Sequence, residues 1–225
     1  MRAVVMAGGE GTRLRPLTAN QPKPLLPVVN RPIMEHVLRL LKRHGFDETV
    51  VTVQFLASLV RTYFGDGDEL GMHLSYATEE SPLGTAGSVR NAHAMLRDDA
   101  FLVISGDALT DIDLGELVAA HRRTGALVTA CLTRVPDPLE FGIVLSDEDG
   151  RIERFLEKPT WGQVFSDTVN TGIYVMEPRS STPSSPGSRW TGRATSSPRC
   201  WPAALRSTDT SRRATGRTSA AWTAT

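Results

Sequence analysis

The stretch "AGGEGTRLRPLTANQPKPLLP" (7–27) decides how this chain reads. It opens on the last residue of "AVVMA" (3–7), an apolar run that reads as a short buried strand. Three glycines, Gly8, Gly9 and Gly11, follow at once. Without side chains in the way, backbone N–H groups there can close on a bound group. Arg13, Arg15 and Lys23 add fixed positive charge. Amide donors and cations after a strand suit a polyphosphate. Two common phosphate loops fail the test. The Gly-Lys-Ser/Thr of a P-loop is missing, and a dinucleotide fingerprint begun at Gly9 meets Leu14 where glycine is required.

Strands and helices alternate beyond that loop. "NRPIMEHVLRLLKRHG" reads as a helix with Asn30 as N-cap, Pro32 in its first turn and Gly45 as stop. "TVVTVQF", "MHLSYAT", "AFLVISGD", "ALVTACLTRV" and "VNTGIYVM" read as strands. "LASLVRTYFG", "TAGSVRNAHAMLR" and "LGELVAAHRRTG" read as helices. "GIVLSDEDGRIERFLEKP" reads as a hairpin turning at Asp149-Gly150. The predicted fold is α/β and Rossmann-like: a mostly parallel mixed sheet with helices on both faces.

At 225 residues the chain suffices for one such domain. Its net charge of zero conceals two unlike parts. Residues 1–178 carry 17 Lys+Arg against 24 Asp+Glu, whereas 179–225 carry eight Arg and one Asp. The acidic head argues against a broad nucleic-acid surface. Two distant cysteines, Cys131 and Cys200, suggest no disulfide framework and fit a reducing cytoplasm. The start is too short in apolar residues for a signal peptide, and no run is long enough to span a membrane. The five histidines are scattered without metal-ligand spacing and read as surface or helix-face residues.

Residues 7–27 resemble the signature of sugar-1-phosphate nucleotidyltransferases, the NDP-sugar pyrophosphorylases. Further motifs follow in family order: "SPLGTAGSV" (81–89), "SGDALTDIDL" (105–114), "EFGIV" (140–144), "FLEKP" (155–159) and "NTGIYVM" (170–176). "LGTAG" and "KPLLPVVNRPI" look most like the mannose-1-phosphate guanylyltransferase branch. The resemblance implies attack of a sugar-1-phosphate oxygen on the α-phosphate of an NTP, with loss of pyrophosphate. The second pKa of a phosphate monoester is about 6, so the nucleophile is ionised near neutrality and needs no catalytic base. The task is to bring two polyanions together and stabilise the charge that builds up.

By the same resemblance, Arg13 holds the leaving pyrophosphate and Lys23 bridges the α-phosphate and sugar phosphate. Asp107 binds Mg²⁺, a place at the carboxyl end of a strand that suits a ligand in any open α/β sheet. Ala7, Gly8, Gly9, Gly11, Thr12, Gly84 and Thr85 surround the nucleotide, and Gly142, Glu157, Lys158 and Asn170 form the sugar-phosphate pocket. Asp111 and Asp113 read instead as carboxylates favoured in a helix's first turn. Guanine presents two adjacent donors, N1–H and N2–H, which suit a carboxylate, so Glu79 or Glu80 is a candidate reader of the base. The expected partners are an NTP, most closely GTP, and a sugar 1-phosphate, most closely mannose 1-phosphate; neither nucleic acid nor a membrane is expected. A uridylyl- or thymidylyltransferase acting on glucose 1-phosphate, and a non-catalytic nucleotide-sugar-binding subunit, stay open. So does assembly into a homo-oligomer.

The tail departs from that pattern. Residues 179–225 hold 19 Ser/Thr and no Val, Ile, Phe, Tyr or Met. The family continues with a "W-E-D-V-G" segment, whose Asp is the second metal carboxylate, and this chain lacks it. Back-translated with G/C-rich codons and read one base earlier, "ATGRTSA" (214–220) becomes G-Y-W-E-D-V-G. "ALRSTDTSRR" becomes A-P-L-Y-G-Y-V-A-E, and "SRWTGRATSSP" becomes E-P-V-D-W-S-G-D-V-F-P. We read a frameshift near Pro178–Arg179. The domain then runs over 1–178, incomplete at its C-terminal end, and 179–225 is an out-of-frame, disordered basic tail. Poor folding and little activity are expected of the chain as it stands.

Overall fold

A computed structural model describes residues 1–96, 99–178 and 205–209, the last as backbone alone. Strand β1 (Arg2–Met6) is followed by the two-residue strands β2 (Pro27–Val28) and β3 (Arg31–Pro32), then helix α1 (Ile33–Arg43). Next come β4 (Glu48–Val53), α2 (Ala57–Phe64), β5 (His73–Thr78) and α3 (Gly84–Ala92). β6 (Phe101–Ser105), α4 (Leu114–Thr124) and β7 (Val128–Arg134) continue the alternation. β8 (Gly142–Ser146), β9 (Ile152–Glu157), β10 (Thr168–Met176) and β11 (Leu205–Asp209) complete the described strands.

The main sheet runs β11-β7-β10-β6-β1-β4-β5, with the β8–β9 hairpin attached to β10. β6, β1, β4 and β5 are mutually parallel. β10 enters antiparallel between β6 and β7. This is the mixed α/β sheet that the strand–helix alternation predicts.

Alternation along the strands gives each face its own core. Ala3, Val5, Val51, Val53, Leu102 and Ile104 face α1, α2 and α4, meeting Leu38, Val60 and Leu117. Val4, Val50 and Val103 point the other way and meet Val89 and Ala92 of α3. Cys131 is a buried strand thiol. His121 is buried on α4, with Nδ1 2.8 Å from Thr129 Oγ1 of β7. Among the described residues no helix is long and apolar enough to cross a membrane.

One capping expectation is corrected. α1 begins at Ile33 after Pro32, with no side-chain cap, and Asn30 is not its N-cap. Val29 and Asn30, at φ 50° and 61°, instead form the two-residue loop between β2 and β3. Both loop residues at positive φ is the turn whose twist suits a hairpin. That geometry withdraws Asn30 from the helix and leaves Pro32 to set the entry angle.

From β1 the chain passes to β4 and β5 on one side, then returns through β6 on the other. Such a reversal opens a crevice at the carboxyl ends of the two strands, here Met6 beside Ser105.

Val29 is the strained member of the hairpin loop, β-branched at positive φ and almost fully exposed. Val29→Asn should therefore raise stability by about 1 kcal/mol, seen as a higher urea midpoint with an unchanged slope.

Candidate active site

The glycine loop continues straight from β1, with Ala7 N–H donating to Thr52 O at 2.9 Å. Gly11 sits at φ 63°, and a Cβ there would lie 3.0 Å from Thr18 Cγ2 and 3.1 Å from Lys23 Cβ. Buried Thr18 donates to Gly11 O at 2.8 Å and fixes the bend. Thr12–Leu14 form a single 3₁₀ turn that exposes Thr12 and Arg13. Arg13 makes no ion pair among the described residues, whereas Arg15 lies 3.9 Å from Glu10. Lys23 opens a second 3₁₀ turn anchored by buried Pro24 and Leu25.

Lys23 reaches across the crevice and ion-pairs with Asp107 Oδ2. Ser105 Oγ donates to Asp107 Oδ1 at 2.5 Å. Gly106 N–H donates to Met6 O at 2.8 Å, and a Cβ on Gly106 would come within 3.2 Å of that oxygen. Burial opposes ionisation of Asp107, but the bonds from Lys23 and Ser105 and the lysine charge outweigh it. The carboxyl is held below its ordinary value. Ser105 and Gly106 have no role in the sequence reading; their signal is their place where a buried strand runs into an acid.

Among the described residues no three His, Cys, Asp or Glu side chains cluster to hold a metal. Mg²⁺ is commonly bound through one or two carboxylates plus substrate phosphates. A single carboxylate beside the glycine loop fits that donor set. Asp113 is not part of it: its side chain accepts from Gly115 and Glu116 N–H and caps α4.

Glu79 lies on the far side of the glycine loop, where β5 ends. It is 6% exposed, and its Oε1 is buried without a hydrogen-bond partner. A Cβ on Gly8 would lie 3.4 Å from Glu79 Oε2, so the loop passes directly over the carboxylate. Glu80 is exposed. Gly84 and Thr85 begin α3, both exposed, with Gly84 at φ 68°.

The second cluster sits on β8, β9 and β10. Gly142 pairs with Glu157, and a Cβ on Gly142 would lie 2.7 Å from Glu157 Oε2 and 2.6 Å from Phe155 Cζ. Ile143 faces Val169, which brings Gly142 beside Asn170. Asn170 Nδ2 donates to Tyr174 OH at 2.5 Å, while its Oδ1 accepts from Gly172 N–H at 3.1 Å. The pairing of β10 with β7 shifts between Asn170 and Tyr174. Tyr174 pairs with Val103, so Asn170 lies toward the carboxyl end of β6. Lys158 adopts φ 44°, with Nζ 3.4 Å from Glu140 Oε2. The Tyr174 phenol is pushed up by burial; the bond from Asn170 works against this, and the Glu157 charge adds to it. Tyr174 lies inside "NTGIYVM", yet its contact with Asn170 has no sequence signal.

The protein-family comparison matches residues 2–182 to the Nucleotidyl transferase family. The chain belongs to this family. It is 40% identical over 191 residues to the UTP–glucose-1-phosphate uridylyltransferase of Synechocystis, covering 79% of this chain and 49% of that protein. It is 42% identical over 179 residues to the mannose-1-phosphate guanylyltransferase of Mycobacterium tuberculosis, covering 78% and 48%. The chain thus spans about half the length of these curated relatives. HddC of Yersinia pseudotuberculosis, solved with GMP-PN, shares the fold at a TM-score of 0.78 with 20% identity, covering 93% of this chain and 90% of that one.

Because the Asp107 carboxyl is depressed, its contribution to stability is present above the unfolded value of 3.8 and is lost as pH falls through the folded one. Asp107→Asn should therefore flatten the stability–pH curve below about pH 4, measured by urea unfolding across pH. Gly142→Ala must displace Phe155 or Glu157 and should cost about 1–3 kcal/mol, read from the same unfolding curves.

Proposed function

We propose that the chain carries the nucleotide-binding and catalytic half of a sugar-1-phosphate nucleotidyltransferase, with GTP and mannose 1-phosphate as substrates. The observation that carries the reading is the convergence of the Gly8–Gly11 loop, Lys23 and Asp107 on the crevice between β1 and β6. Loop amides and Arg13 serve the β- and γ-phosphates. Lys23 serves the α-phosphate and the incoming sugar phosphate. Gly142, Glu157, Lys158 and Asn170 receive the sugar phosphate. Asp107 is the residue here that would hold Mg²⁺, which when bound offsets phosphate charge. The nucleophile is already ionised, so the side chains need only position and neutralise.

The choice of base rests on Glu79. An unpartnered buried carboxylate oxygen is costly, and a ligand offering two adjacent donors relieves the cost. Guanine has that edge. The uridylyltransferase likeness keeps glucose 1-phosphate with a pyrimidine nucleotide as the second reading. On the frameshift reading, the family likeness should stop near Pro178, and its end at residue 182 supports this.

The test uses a chain restored in frame after codon 178, whose natural nucleotide sequence is read first. Pyrophosphate release with each NTP and each sugar 1-phosphate should favour GTP with mannose 1-phosphate. Glu79→Gln should lower kcat/KM for GTP roughly tenfold to a hundredfold and narrow its lead over UTP. Full GTP preference in that variant refutes the base assignment. Brisk GDP-mannose synthesis by the unrepaired chain refutes the frameshift reading.

A further inference from the structure

We infer that Lys23 stands in for the divalent cation at Asp107, so that the metal enters only with the nucleotide whose phosphates draw Lys23 away. This rests on the nucleotidyltransferase reading above and concerns the order in which its site fills. The two oxygens of Asp107 are held differently. Oδ1 takes the Ser105 hydroxyl at 2.5 Å, a neutral partner fixed on the same strand end. Oδ2 takes the Lys23 ammonium, a cation carried at the end of a long stem. A divalent ion arriving alone must evict that ammonium and then sit beside it. Two cations would share one carboxylate in a crevice where both side chains are about two-thirds covered. Like charges at such range repel strongly outside bulk water.

The backbone around Lys23 shows how the conflict resolves. Pro24 and Leu25 are buried and fix its Cα. Its Cβ lies 3.1 Å from where a Gly11 Cβ would be, so the side chain starts beside the phosphate loop. Only the flexible end of the stem crosses to Asp107. A triphosphate on the loop offers the ammonium anionic oxygens near the root of its own side chain. Lys23 can then change partners by rotating its stem, with no movement of the backbone. Nucleotide and metal consequently bind together: the phosphates remove the ammonium, and the vacated Oδ2 accepts the metal they carry.

The experiment titrates the full 225-residue chain with Mn²⁺ in the absence of nucleotide, following free Mn²⁺ by electron paramagnetic resonance. Unaltered chain should bind weakly. Lys23→Met keeps the stem and removes the charge, and it should bind at least about tenfold more tightly. Lys23→Met with Asp107→Asn should lose that gain. Equal binding by the unaltered and Lys23→Met chains overturns the inference. A second measurement leaves Lys23 in place: reductive methylation of Lys23, read by peptide mass spectrometry, should be several-fold faster in Asp107→Asn than in the unaltered chain. Equal rates also overturn it, including where Lys23→Met fails to fold. GTP binding is measured separately by equilibrium dialysis on the chain restored in frame after codon 178. Its absence counts against the nucleotidyltransferase reading and leaves the metal comparison to decide the stand-in role.

Discussion

The bond from Gly106 N–H to the Met6 carbonyl, 2.8 Å long, holds the carboxyl ends of β1 and β6 side by side. The candidate phosphate chemistry hangs from that junction. The glycine loop leaves from one strand end and Asp107 from the other, each a residue or two past the sheet. A side chain on Gly106 would press on the same carbonyl at 3.2 Å, so the junction tolerates little else. Charges brought this close need a rigid frame, since opposed groups left to relax would move apart or take up water. The buried runs on either side, Val4 and Val5 against Val103 and Ile104, supply it.

Much of this arrangement is legible in the sequence, for physical reasons that differ by element. β1, β4 and β6 are covered on both faces, and such strands advertise themselves as short continuous apolar runs. Gly11 is legible because its backbone conformation and the space around it both exclude a side chain. Asp107 is legible as an acid immediately beyond a buried strand. Its pairing with Lys23 is not, because the two meet only once β1 and β6 are adjacent, and no local spacing encodes that. Asn30 misleads for a related reason. A residue type that favours helix caps also favours left-handed turns, and the short hairpin of β2 and β3 is too brief to show alternation.

Glu79 illustrates a different limit. In sequence it is one of two neighbouring glutamates, and chemistry alone does not choose between them. Burial does: Glu79 lies under the glycine loop with an unpartnered oxygen, whereas Glu80 faces solvent. Among the described residues, the buried side-chain atoms without a hydrogen-bond partner are Thr49 Oγ1, Thr52 Oγ1, His121 Nε2 and Glu79 Oε1, and of these only the last belongs to a carboxylate, whose open oxygen costs the most. It makes sense where a ligand completes it. The Tyr174–Asn170 bond is the counterpart on the other side of the crevice, an arrangement already satisfied that holds a candidate-site residue in place.

The segment 205–209 shows what backbone pairing can and cannot tell. Its five residues run parallel to β7, with Leu205 opposite Val128 and Asp209 opposite Leu132. An outer strand presents a row of unpaired N–H and C=O groups, and these accept any extended backbone whatever its side chains. "LRSTD" is a poor strand sequence by composition, with a charge at position 206 and another at 209. Read one base earlier, the same codons give A-P-L-Y-G, the start of a run that continues Y-V. On the proposed frameshift, then, the slot beside β7 belongs to an uncharged segment that carries leucine and tyrosine. The present chain places an unrelated backbone there. Main-chain hydrogen bonds can survive such a substitution, whereas the side-chain packing that makes an edge strand contribute to a core cannot. The rest of 179–225, including the codons that recover W-E-D-V-G, lies outside the described residues. Any second carboxylate beside Asp107 depends on those codons, so on this reading Asp107 is the one carboxylate this chain itself would offer a metal.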